Sequence, residues 1–405
     1  MYASNYTLHI AYVIIRLQNG QRKMRRVYAD NSATTALSKT ARAAFIKALD
    51  LYGNASSLHS YGHGAMMAVE AAREQVAKLI GAKPHEIVFN SGGTEGNNTV
   101  IGMIQEGEVI VSSIEHPSVL EAVKRQRSQG VVTHYLPVNK DGRVEMSELK
   151  KVLNKKTQLV SVMTANNEIG TLQDVAKIVK IAHEKGALVH TDAVQAAGKI
   201  PLDVRELGVD YLTLSAHKIG GPKGVGAMYV REGVPYVPFL VGGYQEGARR
   251  AGTYNVPGIV GFGEAAKEAV ESPRLYAKRV ALLRNELRER ILDEIPNVVV
   301  NGSQEKILPH VLNVSFAGAE GESILLMLDE VGIEVSTGSA CASGDTSPSH
   351  VLMAVEADPE LAHGSIRFSL SLDNETGDID YIMEHLPRII KKLRAISTVG
   401  EGNGK

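Results

Sequence analysis

Residues 187–224 read ALVHTDAVQAAGKIPLDVRELGVDYLTLSAHKIGGPKG. The two aliphatic runs in it, ALVHT and DYLTL, are short and lack helical spacing, and they read as buried strands. Polar residues follow each run: Asp192 and Gln195 after the first, Ser215, His217 and Lys218 after the second. In open α/β sheets, ligands bind beyond the carboxyl ends of the strands. The stretch therefore predicts a fold and also the edge of that fold which meets a ligand.

The same grammar recurs upstream. EIVFN is followed by SGGTEGNN, EVIVSS by IEHPS, and QLVSVM by TANNEIG. Helical segments such as GAMMAVEAAREQVAKLIGA, SVLEAVKRQRSQ and VAKIVKIAHEKG lie between the runs. This alternation, from about Ala36 to Pro273, predicts an α/β fold with a mostly parallel sheet flanked by helices on both faces. Beyond Pro273 the pattern changes. A long helix carries Tyr276, Val280, Leu283, Leu287 and Ile291 on one stripe. HVLNVSF, a helical ESILLMLDEV, SIRFSLS and a terminal helix from about Glu375 then predict a smaller α+β domain. Pro387 is expected to kink or break that last helix.

The expected division is residues 40–272 as the large domain and 24–39 plus 273–405 as the small one. Residues 1–23 read as an N-terminal extension, because MRRVYADNSATT from Met24 resembles the start of a folded domain. An added strand is the alternative, and the N-terminal mass of the native protein decides between them.

The 405 residues are 44% hydrophobic and 22% charged, as in ordinary globular proteins. Lysine and arginine total 44 against 45 acidic residues, so no general field favours nucleic acid or an anionic membrane. The apolar run LHIAYVII is too short to span a bilayer. A single cysteine, Cys341, excludes an intramolecular disulfide and a cysteine-based metal cluster, and points to the cytosol. His59 and His63 are four apart, with no third ligand evident, so no resident metal is expected.

The strand ends form a chemical set. Gly92, Gly93 and Thr94 precede a helix, whose N-terminal N–H groups and dipole suit a phosphate. Ser215 and His217 add donors. Asp192 is a carboxylate at a buried strand end, and Lys218 is an amine in an apolar, Gly-rich setting. Taken singly, these read as a turn, a helix cap and a solvated lysine. Placed together they describe a pyridoxal 5'-phosphate (PLP) pocket, which needs a lysine and an acidic partner for the pyridine nitrogen.

VYADNSATT, YGNASSLHSYG, VFNSGGTEGNN, EHPSV, NNEIGT, HTDAVQAAGKI, SAHKIGGPKGVG, RRAGTYNVPGIVG, STGSACAS and SIRFSLS resemble segments of the NifS/IscS-like cysteine desulfurases, class V members of the fold-type I PLP enzymes. The likeness runs from about Tyr28 to Ser397. It implies that Lys218 carries PLP as a Schiff base, Asp192 pairs with the pyridine nitrogen, and His116 stacks on the ring and moves protons. It further implies that Gln195 bonds the ring hydroxyl, and that Gly93, Thr94, Ser215 and His217 hold the phosphate together with Thr253 from the second subunit of a homodimer. Asn167 and Arg367 would bind the carboxylate of L-cysteine, Arg367 through its bidentate fork.

The resemblance also assigns Cys341. Its thiolate would take sulfur from L-cysteine, giving alanine and an enzyme persulfide, and pass it to an iron–sulfur scaffold or sulfur-carrier protein. Gly338 and Gly344 would hinge the loop, and the step to Pro348 resembles the longer-loop branch of the family. A transient iron–sulfur cluster contact at Cys341 stays open. Ala36, Tyr244, Ala251, Tyr254 and Leu372 depart from the family's usual residues without removing a cofactor contact. The competing readings are a class V aminotransferase or β-lyase, which would not need Cys341, and a non-catalytic sulfur carrier, which would not bind PLP.

Overall fold

A computed structural model describes residues 25–271, 273–337 and 348–396. The expected extension at 1–23 lies outside the described residues, as does Cys341. After β1 (Val27–Tyr28), the strands β2 (Ile87–Asn90), β3 (Glu108–Ser112), β4 (Val132–Leu136), β5 (Thr157–Ser161), β6 (Leu188–Asp192), β7 (Tyr211–Ser215) and β8 (Gly226–Val230) form one seven-stranded sheet, in the order β2-β8-β7-β6-β5-β3-β4. β8 runs antiparallel to β2 and β7, and all other neighbours are parallel. β6 and β7 lie inside the sheet, which is why their sequences are apolar without alternation. β4 and β8 are not among the strands expected above. β4 is a largely solvent-facing edge strand, and β8 begins at a glycine just after the turn-forming GGPKG.

β9 (Val298–Val300), β10 (Val311–Phe316), β11 (Ile333–Glu334) and β12 (Ser365–Ser369) lie beyond the large sheet. β12, β10 and β9 make an antiparallel sheet, while β1 pairs in parallel with β11. A separate apolar cluster joins Val27 and Ala29 to the long-helix stripe Tyr276, Val280, Leu283, Leu287 and Ile291, to β10 and β12, and to the last helix. Val351, Leu352, Val355 and Ala362 instead pack into the cluster under the large sheet.

The last helix does not break at Pro387. It runs unbroken from Thr376 to Ile396. A proline inside a helix costs about 3 kcal/mol, whereas burying one large aliphatic side chain contributes about 1.5–3 kcal/mol. Leu386, Ile389, Ile390 and Leu393 flank the proline and are all buried, so packing outweighs propensity.

The helix Gly93–Gly102 is set by two glycines. Gly92, its N-cap, has φ 144° and ψ −175°, a backbone region that essentially only glycine occupies. Gly96 faces β7, and a Cβ there would lie 2.7 Å from Thr213 Cγ2. The helix can thus lie directly over the strand end. Gly96→Val is expected to lever the helix off β7 and cost about 1–3 kcal/mol. Urea denaturation measures this, and an unchanged midpoint would refute the close-approach account.

Candidate active site

A cleft opens at the carboxyl ends of the large sheet's parallel strands. Gly93, Thr94, His116, Asn167, Asp192, Gln195, Ser215, His217 and Lys218, all singled out from the sequence, line it. So do Asn97, Ser118, Met163 and Val194, which were not. Asn97 had a legible signal, since it stands four residues after Gly93 and so shares its helix face.

One end of the cleft is built of donors. The helix Gly93–Gly102 starts there without a side-chain cap, so its first N–H groups remain available to a ligand. Ser215 ends β7, and His217 follows it, 3.2 Å from Thr34 Oγ1 through Nδ1. Burial, reinforced by the charges of Lys218 and Lys223, pushes the His217 imidazole down to about 4.

Asp192 also lines the cleft, buried at the tip of β6. Its Oδ1 accepts from the Val194 N–H at 2.9 Å and its Oδ2 from Asn97 Nδ2 at 2.7 Å. Asn97 Nδ2 also reaches Ser118 Oγ at 2.9 Å. His116 caps the helix Pro117–Ser128, with Nδ1 accepting from the Ser118 N–H at 3.1 Å and lying 2.8 Å from Ser118 Oγ. Burial lowers the His116 pKa; Asp192 opposes that shift, and Lys218 and His350 add to it.

The third wall comes from the chain's amino-terminal segment. Lys218 Nζ donates to the carbonyls of Ser32 at 2.5 Å and Ala33 at 2.8 Å, and Gln195 Nε2 donates to the same Ser32 carbonyl at 2.9 Å. Arg367, on β12, donates to Asp30 Oδ1 at 2.8 Å and to the Asn167 carbonyl at 3.0 Å. Arg367 therefore sits beside the cleft through Asn167, its buried Nε without a partner among the described residues.

Two carboxyl groups behind the cleft went unnoticed in the sequence. Glu115 is fully buried, and its Oε1 accepts from Ser112 Oγ at 2.5 Å and the Met163 N–H at 2.9 Å. Burial pushes its pKa up to about 8. Glu168 accepts from Ser349 Oγ at 2.5 Å, and burial raises its pKa to about 7.

Thr253 is not in the cleft. It lies exposed on the loop after Arg250, whose guanidinium clasps Glu95 of the helix Gly93–Gly102 at 2.9 and 3.1 Å. His59 serves as the N-cap of the helix Ser60–Leu79. Among the described residues, no group of three or more His, Cys, Asp or Glu is placed to hold a metal ion, and no helix is long and apolar enough to cross a membrane.

The donor set suits PLP. A helix end with hydroxyl and imidazole donors answers a phosphate, a buried carboxylate answers a pyridinium, and a lysine amine lines the same cleft. The chain matches the Aminotransferase class-V family over residues 27–382. It is 48% identical over 382 residues to "Cysteine desulfurase IscS" of Dictyoglomus turgidum, covering 92% of this chain and 96% of that one. It is 43% identical to a "Cysteine desulfurase" of Klebsiella pneumoniae, covering 94% and 97% of the two chains. Among solved structures, a "NIFS-LIKE PROTEIN" superposes with a TM-score of 0.85 at 39% identity, over 91% of this chain and 100% of that chain. "SspA in complex with cysteine" does so with a TM-score of 0.76 at 32% identity, over 85% and 98%.

The Glu115 carboxyl gives a test of stability against pH. Its folded pKa lies above the ordinary value of 4.5, so the native chain holds a proton that the unfolded chain releases. That contribution is complete below about 4.5 and is lost as pH rises through about 8. Glu115→Gln, which stays neutral, should therefore gain thermal stability over the wild type as pH is raised from 5 to 9. A constant difference in melting temperature across that range would mean that Glu115 is ionised in the fold.

Proposed function

The chain belongs to the Aminotransferase class-V family, and from that premise we propose that it is a PLP-dependent cysteine desulfurase. It removes sulfur from L-cysteine, releases L-alanine, and carries the sulfur as a persulfide on Cys341. The observation that carries this reading is the meeting of Lys218, Asp192 and the uncapped helix start in one cleft. The named relatives and the STGSACAS segment around the chain's single cysteine specify the reaction.

PLP, when bound, supplies the electron sink that weakens the carbon–sulfur bond of the substrate. The chain's own groups do the rest. Lys218 would hold the cofactor through its amine. Gly93, Thr94, Ser215 and His217 would hold the phosphate, Gln195 the ring hydroxyl, and Asp192 the ring nitrogen. Arg367 and Asn167 bind the substrate carboxylate, and the Asp30 contact keeps the guanidinium fork in place beforehand. The Cys341 thiolate forms a sulfur–sulfur bond as the substrate's carbon–sulfur bond breaks. The electron pair stays on carbon, and a proton delivered there completes alanine.

In the same reading the protein works as a homodimer. Thr253 is exposed and outside its own cleft, as a residue serving a partner's phosphate site would be. Tyr52, Leu58, Tyr61, Val241 and Tyr244 are exposed apolar side chains that a second copy would cover. Residues 40–272 form the cofactor-binding domain, whose core Val351, Leu352, Val355 and Ala362 join, and 24–39 with the rest of 273–405 form the domain that carries Cys341. The acceptor is an iron–sulfur scaffold or sulfur-carrier protein in the cytosol.

Purified protein with PLP, L-cysteine and a reductant should yield alanine and sulfide in equal amounts. Cys341→Ser should abolish both while keeping the cofactor's visible absorbance, whereas Lys218→Ala should lose that absorbance. Pyruvate and ammonia as products, or turnover that survives Cys341→Ser, would instead identify a lyase or transaminase.

A further inference from the structure

The hydrogen bonds between Asp192 and His116 have a direction that the chemistry of their groups fixes. Asn97 turns its nitrogen to the carboxylate oxygen Oδ2 of Asp192, 2.7 Å away, which accepts. That nitrogen also lies 2.9 Å from Ser118 Oγ, and an amide nitrogen has two hydrogens to give and no lone pair to offer. Ser118 Oγ is therefore an acceptor from Asn97, and its own hydrogen is free for His116 Nδ1 at 2.8 Å. The Ser118 backbone N–H aims at the same Nδ1 from 3.1 Å. Flipping Asn97 would press its oxygen against a carboxylate. That oxygen is buried and, among the described residues, has no partner that would favour the flip. Asn97, Ser118 and Asp192 are all buried, so water does not blur the sequence of donors.

We propose that Asn97 and Ser118 are positioning residues that hold His116 as the neutral tautomer with its proton on Nε2, so that His116 offers the cleft a hydrogen-bond donor and not a proton acceptor. The proposal deepens the reading of this cleft as a PLP site and refines the expectation that His116 moves protons. To become imidazolium, the ring must place a proton on Nδ1, which two donors already occupy, one of them the first turn of a helix. Among the charged and titratable groups around the ring, Asp192 favours imidazolium, whereas Lys218 and His350 oppose it. His350 Nε2 lies 3.0 Å from the Glu115 carbonyl, and burial raises the pKa of the Glu115 side chain.

The test is the nitrogen spectrum of the holoprotein labelled with ¹⁵N-histidine, with His116 assigned by the signal missing in His116→Gln. The wild type should show an unprotonated Nδ1 and a protonated Nε2 from pH 6 to 8. Ser118→Ala removes one donor to Nδ1 and should raise the protonation midpoint of His116 by about half to one pH unit. Ser118→Thr, which keeps the hydroxyl, should restore it, and Asn97→Ala should move it the same way as Ser118→Ala. A wild-type ring protonated on Nδ1 would overturn the proposal, as would a Ser118→Ala midpoint equal to the wild type's. If Ser118→Ala fails to fold, the wild-type tautomer alone decides. The spectrum is read without turnover. Failure to form alanine from L-cysteine would therefore sink the desulfurase reading and leave this one standing, and an active enzyme with Nδ1–H on His116 would do the reverse.

Discussion

A carboxylate at the tip of a buried strand cannot rely on water, and Asp192 draws its donors from two directions. One is the backbone that follows it, through Val194, and the other is a helix that must come close enough for Asn97 to reach across. That approach is possible only because Gly96 presents no Cβ to Thr213 on the neighbouring strand. Asn97 in turn meets Ser118 at the start of the next helix, so a single buried carboxyl group sets the spacing of two helices and a strand. The uncapped helix start and the carboxylate are consequently held in one cleft by the same piece of packing.

A buried charge pair supports the other side of that helix. Arg73 grips Glu246 through two bonds, at 2.7 and 2.6 Å, and Glu246 also accepts from the Phe89 N–H at 2.8 Å. Glu246 and Ala248 adopt positive φ values of 51° and 63°, which a free loop would relax. The loop so held delivers Arg250 to Glu95, and burial of that carboxylate is more than offset by Arg250 and the Ser91 N–H, which keep its pKa low. A buried pair of this kind adds little over a well-packed apolar pair, but losing one partner costs about 3–5 kcal/mol. Its contribution is to fix a loop's shape more than to raise overall stability.

Much of the site could be read from the chain because parallel strands all end at one edge of the sheet. Once ALVHT and DYLTL read as strands, Asp192, Gln195, Ser215, His217 and Lys218 had to meet there, and the remaining strands added Gly93, Thr94, His116 and Asn167. Asn97 was within reach of the same logic by its helical spacing. Other features depended on distance. Nothing local to Arg73 points to Glu246, 173 residues away, and Glu115 looks like a surface acid until the sheet closes around it. Pro387 shows the opposite failure, in which a strong local rule was overruled by apolar residues packed on both sides of it. β8 was missed because antiparallel return strands leave no helix behind them to mark their place.

The segment from Asp30 to Ala33 carries a consequence of its own. Within four positions it supplies a carboxylate to Arg367 and the carbonyls that receive Lys218 and Gln195, while the Ser32 N–H and the Asn31 side chain bond to Ser369 on β12. All seven strands of the large sheet lie downstream of it. An exopeptidase advancing from the amino end would leave that sheet and its helices whole. Once past Ala33 it would nevertheless have taken the Asp30 carboxylate from Arg367 and the Ser32 and Ala33 carbonyls from Lys218. A fragment trimmed in this way could pass for the folded protein by size and helix content, and the position of its first residue would distinguish it.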